Sequence, residues 1–195
     1  MDLLTLIIVG VVVVAVIGLY AIYAGVIKNK NAVREALSGI DVQLKKRHDL
    51  VPNILTIAKK FMEHEKEIFE KVTELRTQAM KAPSGSKAKF AAEGMLDNLM
   101  GQLMVSVENY PQLKSDQTMV QAMKTYNEVE EHISAARRFY NSALTQLRNS
   151  VMIFPGSLFA GLAAEEMNYS YFEATEADRA AVNACLLYTS DAADE

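Results

Sequence analysis

No charged side chain occurs between Leu3 and Ile27, and the chain turns basic directly afterwards at Lys28, Lys30 and Arg34. As a helix, a run of about 25 residues rises roughly 37 Å, more than the roughly 30 Å hydrocarbon core of a bilayer. Thirteen of the nineteen residues from Leu4 to Ile22 are Leu, Ile or Val. At roughly −0.3 to −0.6 kcal/mol each, they favour insertion by about 5 kcal/mol. A cleaved signal peptide competes with this reading, but such peptides open on positive charge, carry a shorter apolar core and close on a small-residue cleavage site. Here only Asp2 precedes the run, and no such site follows. Residues 1–2 are therefore read as a short N-terminus, 3–27 as a transmembrane anchor and 28–176 as a folded domain, leaving a tail at 177–195.

Basic residues next to a span tend to stay cytoplasmic. Lys28, Lys30, Arg34, Lys45, Lys46 and Arg47 all follow the span, which predicts a single-pass protein of the cell's inner (plasma) membrane with its domain in the cytoplasm. The formal net charge of −4 does not indicate a nucleic-acid partner. The bilayer itself is the first partner. The basic stretch at Lys45 to Arg47 reads as the flank of the anchor or a solvated helix face, with contact to anionic headgroups as the alternative. The only cysteine, Cys185, cannot close an intramolecular disulfide, which excludes a disulfide-stapled module.

Beyond the anchor, apolar residues recur at Val33, Leu37, Ile40, Leu44, Val51, Leu55, Ala58 and Met62, then at Ile68, Val72, Leu75 and Ala79. Steps alternating near three and four predict one long amphipathic helix. Pro52 interrupts it and predicts a kink near His48 to Pro52, unless Asp49 caps a new helix there. The breaker-rich run Lys81 to Ser86 predicts a turn. A second helix follows from Lys87 to about Asn109, with Leu96, Leu99, Leu103 and Val107 on one face, until Tyr110-Pro111 stops it. Ser115 or Asp116 can cap a third. On that helix Met119, Met123, Tyr126, Ile133, Tyr140, Leu144, Leu147, Val151 and Phe154 keep heptad spacing of the coiled-coil kind. A shorter helix from Ser157 to Met167, with Leu158, Leu162 and Phe159 turned inward, closes the pattern. No strand-like alternation of useful length occurs. The expectation is an all-α protein: the transmembrane helix, then an antiparallel bundle of three long helices and one shorter C-terminal helix.

Chemistry-bearing motifs are scarce. A di-metal bundle needs Glu-x-x-His motifs on two helices, and His64-Glu65 has Ile68, not histidine, where a zinc-protease helix needs its second ligand. His48, His64 and His132 are read as surface or helix-face residues, and no catalytic, cofactor-binding or metal residue is nominated. More informative are charges lying inside apolar stripes. Glu130 falls between Tyr126 and Ile133, Arg137 between Ile133 and Tyr140, and Arg47 between Leu44 and Val51, with Asp41 one turn before Lys45. Buried charge is costly unless paired, so Asp41, Arg47, Glu130 and Arg137 are candidates for a structural polar network, with a ligand site as the rival. Met95, Met100, Met104, Met119 and Met123 read as core filling rather than as a partner groove.

The run Ser38-Gly39-Ile40-Asp41-Val42-Gln43-Leu44-Lys45-Lys46-Arg47-His48-Asp49-Leu50-Val51-Pro52-Asn53 resembles the signature of the bacterial LemA family. Tyr110-Pro111-Gln112-Leu113-Lys114, Arg137-Arg138-Phe139-Tyr140-Asn141 and Phe154-Pro155 fit the same pattern in order. The resemblance, over roughly Asn31 to Glu176, implies an N-terminal single-pass anchor and a helical bundle; it implies no established enzymatic activity, cofactor or catalytic residue, so none is carried over. It also nominates a membrane-bound zinc protease among membrane-associated protein partners, since genes of the two kinds are sometimes neighbours. The functional expectation is a non-enzymatic membrane-tethered scaffold or docking module. Its rivals are a signalling module working through a Pro52 kink and a lipid-interacting bundle using the basic stretch near Lys45.

Residues Ala184 to Glu195 depart from the family pattern and resemble translated sequencing adapter, so Cys185 receives no functional weight. Deleting 184–195 is expected to leave the thermal unfolding midpoint unchanged in a melt followed by circular dichroism. A fall of several degrees would assign the segment to the fold.

Overall fold

The heptad stripes become helices, and one of them is cut in two. The computed structural model describes residues 2–172; the tail at 177–195, including 184–195, lies outside the described residues. The elements are α1 (Leu3–Ala58), α2 (Lys66–Lys81), α3 (Lys87–Val107), α4 (Pro111–Lys114), α5 (Gln117–Met152), a 3-10 segment (Gly156–Ala163) and α6 (Ala164–Met167). The protein is all-α, with no strand among the described residues.

Every residue from Asp2 to Ala21 is exposed. Packing starts where the Tyr23 ring meets Phe159 at 5.8 Å and Val26 becomes buried, so the bundle engages α1 about one turn before the apolar run ends at Ile27. From there α1, α2, α3 and α5 run up, down, up and down. Burial of their stripes is what holds them, because none can shield its apolar face alone.

The stripe from Val33 to Ala79 does not form one helix. α1 ends at Ala58, the chain turns through Lys59 to Glu65, and α2 returns along the bundle. Periodicity alone predicts continuity there, since this turn contains neither Gly nor Pro. The turn instead buries Met62 against Leu55, Phe69 and Leu103 in the far core. Pro52, in contrast, lies inside α1 without ending it. Its ring removes the N–H that the His48 carbonyl would accept from, and Arg76 Nε of α2 donates to that carbonyl instead, at 2.7 Å.

Caps and turns follow the local chemistry. Ser86 Oγ accepts from the Lys89 N–H at 3.1 Å to open α3. Asp116, rather than Ser115, caps α5, accepting from Met119 N at 2.9 Å. Gly85 has φ +72°, and its site is crowded by Tyr169 and Leu37. After α5 the chain doubles back over the end of the bundle. The inward assignment of Leu158 and Leu162 is not met: both are exposed, and Ala163 and Glu166 are buried in their place. The 3-10 winding explains the change, because with three residues per turn the inward positions fall elsewhere than in an α-helix. Met95 is likewise exposed, whereas Met100 and Met119 are core.

The segment after α6 is sewn to α5 by the Arg137 to Asn141 motif. Tyr140 Oη donates to Ser170 O at 2.8 Å, Asn141 makes a reciprocal pair with the Phe172 backbone at 2.8 and 2.9 Å, and the Arg137 guanidinium lies 4.2 Å from the centre of the Phe172 ring. That ring stacks on Phe90 of α3 at 4.3 Å.

At the reversal after α5, a Cβ at Gly156 would lie 1.9 Å from the Ser150 carbonyl oxygen, so only glycine allows this approach. Gly156→Ala is expected to destabilise the domain by roughly 1–3 kcal/mol through forced backbone displacement, read as a lowered urea midpoint. An unchanged midpoint would show that the reversal is loosely held.

Candidate functional site

Two apolar clusters make up the core, and charge separates them. Val33, Leu37, Ile40 and Leu44 of α1 pack with Ile133, Tyr140, Leu144 and Leu147 of α5 on the side of the apolar head. Val51, Ile54 and Leu55 pack with Phe69, Leu96, Met100, Leu103 and Tyr126 on the far side. Arg47 and His48 stand between them on α1, Glu93 and Asp97 on α3, and Glu130 and Arg137 on α5.

Arg47 is fully buried. Its guanidinium pairs with Glu93 and Asp97 and with Glu130 at 3.0 Å, a fan that suits its forked donors. Arg137 Nη2 donates to Asp97 at 2.7 Å. Glu93, also fully buried, receives His48 Nε2 at 3.1 Å. Because a carboxylate only accepts, His48 donates from Nε2. Two guanidinium groups thus face three carboxylates, and the imidazole N–H contributes a further donor to the excess acceptors. Arg76 binds the His48 carbonyl at the same level, so all four long helices meet in one polar layer.

Burial disfavours charge on Arg47, but the Glu130 and Glu93 carboxylates outweigh it and raise its pKa further. For Glu93, burial pushes the pKa upward, and the His48 hydrogen bond with the Arg47 charge more than reverses it, holding the carboxyl below its ordinary value. The Tyr126 hydroxyl, beside Glu130, is driven up by burial and by that carboxylate. The Arg47 charge and the Glu93 carboxylate are thus each favoured by the other.

The structure brings Arg47, Glu130 and Arg137 together. Asp41 lies elsewhere: its carboxylate takes Lys89 Nζ and Ser84 Oγ, both at 2.6 Å, and clamps the α2–α3 turn to α1. Lys45 pairs with Asp49 on the exposed face at 2.7 Å. His64 and His132 are exposed, but His48 is buried and bonded, which corrects its surface assignment. Glu93 and Asp97 were not legible as partners. Counting back seven residues from Met100, or three from Leu96, lands on Glu93, whereas the stripe drawn through Leu99 passes it by. Among the described residues no group of three or more His, Cys, Asp or Glu is placed to hold a metal ion.

A second charged cluster ties the chain's end to the start of the bundle. Arg34 binds the buried Glu166 at 2.6 Å and Glu165 at 2.8 Å, and Lys30 Nζ donates to the Leu162 carbonyl at 2.7 Å. Along the outer face of α2 runs an open groove of about 1240 Å³, lined by Lys59, Glu63, His64, Phe69, Glu70 and Thr73 among others.

Fold and site together define a helical bundle grown from one apolar-headed helix, with its interior charges committed to one another. The chain belongs to the LemA family, whose model matches residues 36–184. It is similar to Protein LemA of Metamycoplasma hominis, 22% identical over 171 residues, covering 84% of this chain and 76% of that protein. It is also similar to Magnetosome protein MamQ 2 of Paramagnetospirillum magneticum, 26% identical over 148 residues, 63% of this chain and 54% of that protein. MamQ of Magnetospirillum gryphiswaldense is 23% identical over the same length. The chain therefore spans about half the length of the MamQ relatives.

Arg47→Met should cost about 3–5 kcal/mol, because it strands buried carboxylates without a counter-charge, and adding Glu93→Leu should recover part of that loss. Glu93 also makes stability pH-dependent. Its folded pKa lies below the ordinary 4.5, so its contribution is complete above that value and is lost as pH falls through the folded one. In melts between neutral and acid pH, Glu93→Gln is expected to show a shallower acid limb than the parent. Parallel limbs would remove Glu93 from the linkage.

Proposed function

We propose that this chain is a non-enzymatic, single-pass membrane protein whose bundle serves as a docking scaffold for membrane-associated proteins. The single observation behind it is the continuity of α1 from Leu3 to Ala58. Its head is long and apolar enough to cross a membrane, with none of the most apolar window buried, and the same helix is the spine of the bundle. From Ile27 to Ala58 it rises roughly 45 Å, which carries the head of the α2 groove well clear of lipid. In this reading the anchor sits in the inner membrane and the bundle in the cytoplasm, as the Lys and Arg residues after the span favour.

Pairing of every Arg47 and Arg137 charge with a carboxylate supports a structural role for the layer over a reacting one. Three relatives are named as magnetosome proteins, and the scaffold reading is compatible with those names. The headgroup-binding rival is weakened by distance. Lys45 lies 18 residues beyond Ile27, about 27 Å along a helix, and ordinary tilt does not bring it back to the surface.

The test is photocrosslinking in intact cells, with a photoreactive residue at Glu70 or Thr77 in the groove and at exposed Glu131 on α5 as control. Groove positions are expected to give a discrete adduct, identified by mass spectrometry, that the control position lacks. A membrane-bound zinc protease is one partner to look for. Absence of any groove-specific adduct would overturn the docking role.

A further inference from the structure

Exposed apolar side chains outside the head of α1 are mostly scattered, as on any soluble surface. One group is not. Met152, Ile153, Phe154, Leu158 and Leu162 lie within eleven residues, and Phe154 is 78% exposed, Met152 70% and Leu158 67%. Every residue from Asn149 to Ala164 is uncharged, with Arg148 and Glu165 closing the ends. Contiguous exposed apolar surface of this kind marks an interaction site.

Its position identifies the occupant. The Phe159 ring meets Tyr23 of α1 edge to face at 5.8 Å, four residues, or about 6 Å, before the apolar run ends at Ile27. Ala163 packs in the same cluster as Val26. The Lys30 bond to Leu162 and the Arg34 pairs with Glu165 and Glu166 fasten the segment against α1 from the polar side. The patch thus continues the apolar surface of the α1 head sideways, at the level where that surface gives way to charge. Tyr20 and Tyr23, 6.4 Å apart, sit where aromatic belts form.

We infer that the segment Met152–Leu162 is a second membrane contact, lying in the interfacial layer beside the α1 anchor with Phe154 and Leu158 turned into lipid. The inference rests on the anchored reading of α1. Eight residues of 3-10 helix, at about 2 Å each, are far too short to cross a bilayer, so the segment lies in the interface and does not span it. The charged residues that fasten it to α1 face one another and leave the apolar side free for lipid. Lipid, rather than another protein, is favoured because Phe159 and Ala163 fix the segment at the Tyr23 and Val26 level of the helix head.

The test uses the full chain in a Cys185→Ser background, reconstituted into phosphatidylcholine and phosphatidylglycerol vesicles and spin-labelled at one introduced cysteine. Phe154→Cys and Leu158→Cys probe the segment, Val12→Cys the middle of the anchor, and Val120→Cys an exposed position far along α5. Labels at 154 and 158 are expected to collide with a polar nickel chelate roughly tenfold less often than the label at 120, because the apolar layer excludes it, and to collide readily with oxygen. If 154 and 158 meet the chelate as freely as 120 while 12 is protected, the second contact is refuted and the anchor stands. If 12 also meets the chelate, the anchor falls and the inference falls with it.

Discussion

A guanidinium placed where no water reaches it must be met by carboxylates, and Arg47 turns that requirement into the register of the bundle. Apolar heptads do not fix register by themselves, since sliding one helix by seven residues presents a similar stripe to its neighbours. The charges break that degeneracy. Glu130 and Arg137 of α5 are seven residues apart, so a one-heptad slip in one direction brings Arg137 opposite Arg47 and sets two guanidinium groups face to face. A slip in the other direction offers Met123 and removes the Glu130 carboxylate. Replacing such a layer by hydrophobic residues often adds stability. Its value lies in the alignments it rejects.

The same level of the bundle settles a backbone problem. Pro52 leaves the His48 carbonyl without its helical partner, and Arg76 of α2 supplies one, while the His48 ring binds Glu93. Proline, histidine and arginine of the Arg47-His48-Asp49-Leu50-Val51-Pro52 run thus act on one cross-section. α1 consequently stays a single helix through a residue that ordinarily ends one, and the apolar head remains rigidly continuous with the domain.

Heptad arithmetic recovered much of this. It located α5 and the turn at Lys81 to Ser86, and it put Arg47, Glu130 and Arg137 on interior faces. It went astray where three-dimensional choices are invisible to a period. The chain reverses between Ala58 and Lys66 without any breaker, because the stripe is equally well satisfied by a helix that continues or by one that returns. Glu93 was hidden by a stripe drawn through Leu99 instead of Met100. Asp41 carried the right chemistry on a neighbouring face, where Lys89 and Ser84 claim it. An α-helical period turns Leu158 and Leu162 inward, whereas the segment winds as 3-10 and leaves both exposed.

That last departure bears on how a tethered bundle faces its surroundings. A protein held by one helix is free to rotate about the helix axis and to tilt, so any docking face on it would point in every direction in turn. A second apolar contact, displaced sideways from the anchor and fastened by Arg34 to Glu165 and Glu166, removes that freedom. Because α1 is unbroken, fixing its rotation at the membrane also fixes the direction of the α2 groove at the other end. Without the lateral contact, the continuity of α1 through Pro52 would hold the groove at a defined height and leave its bearing undefined.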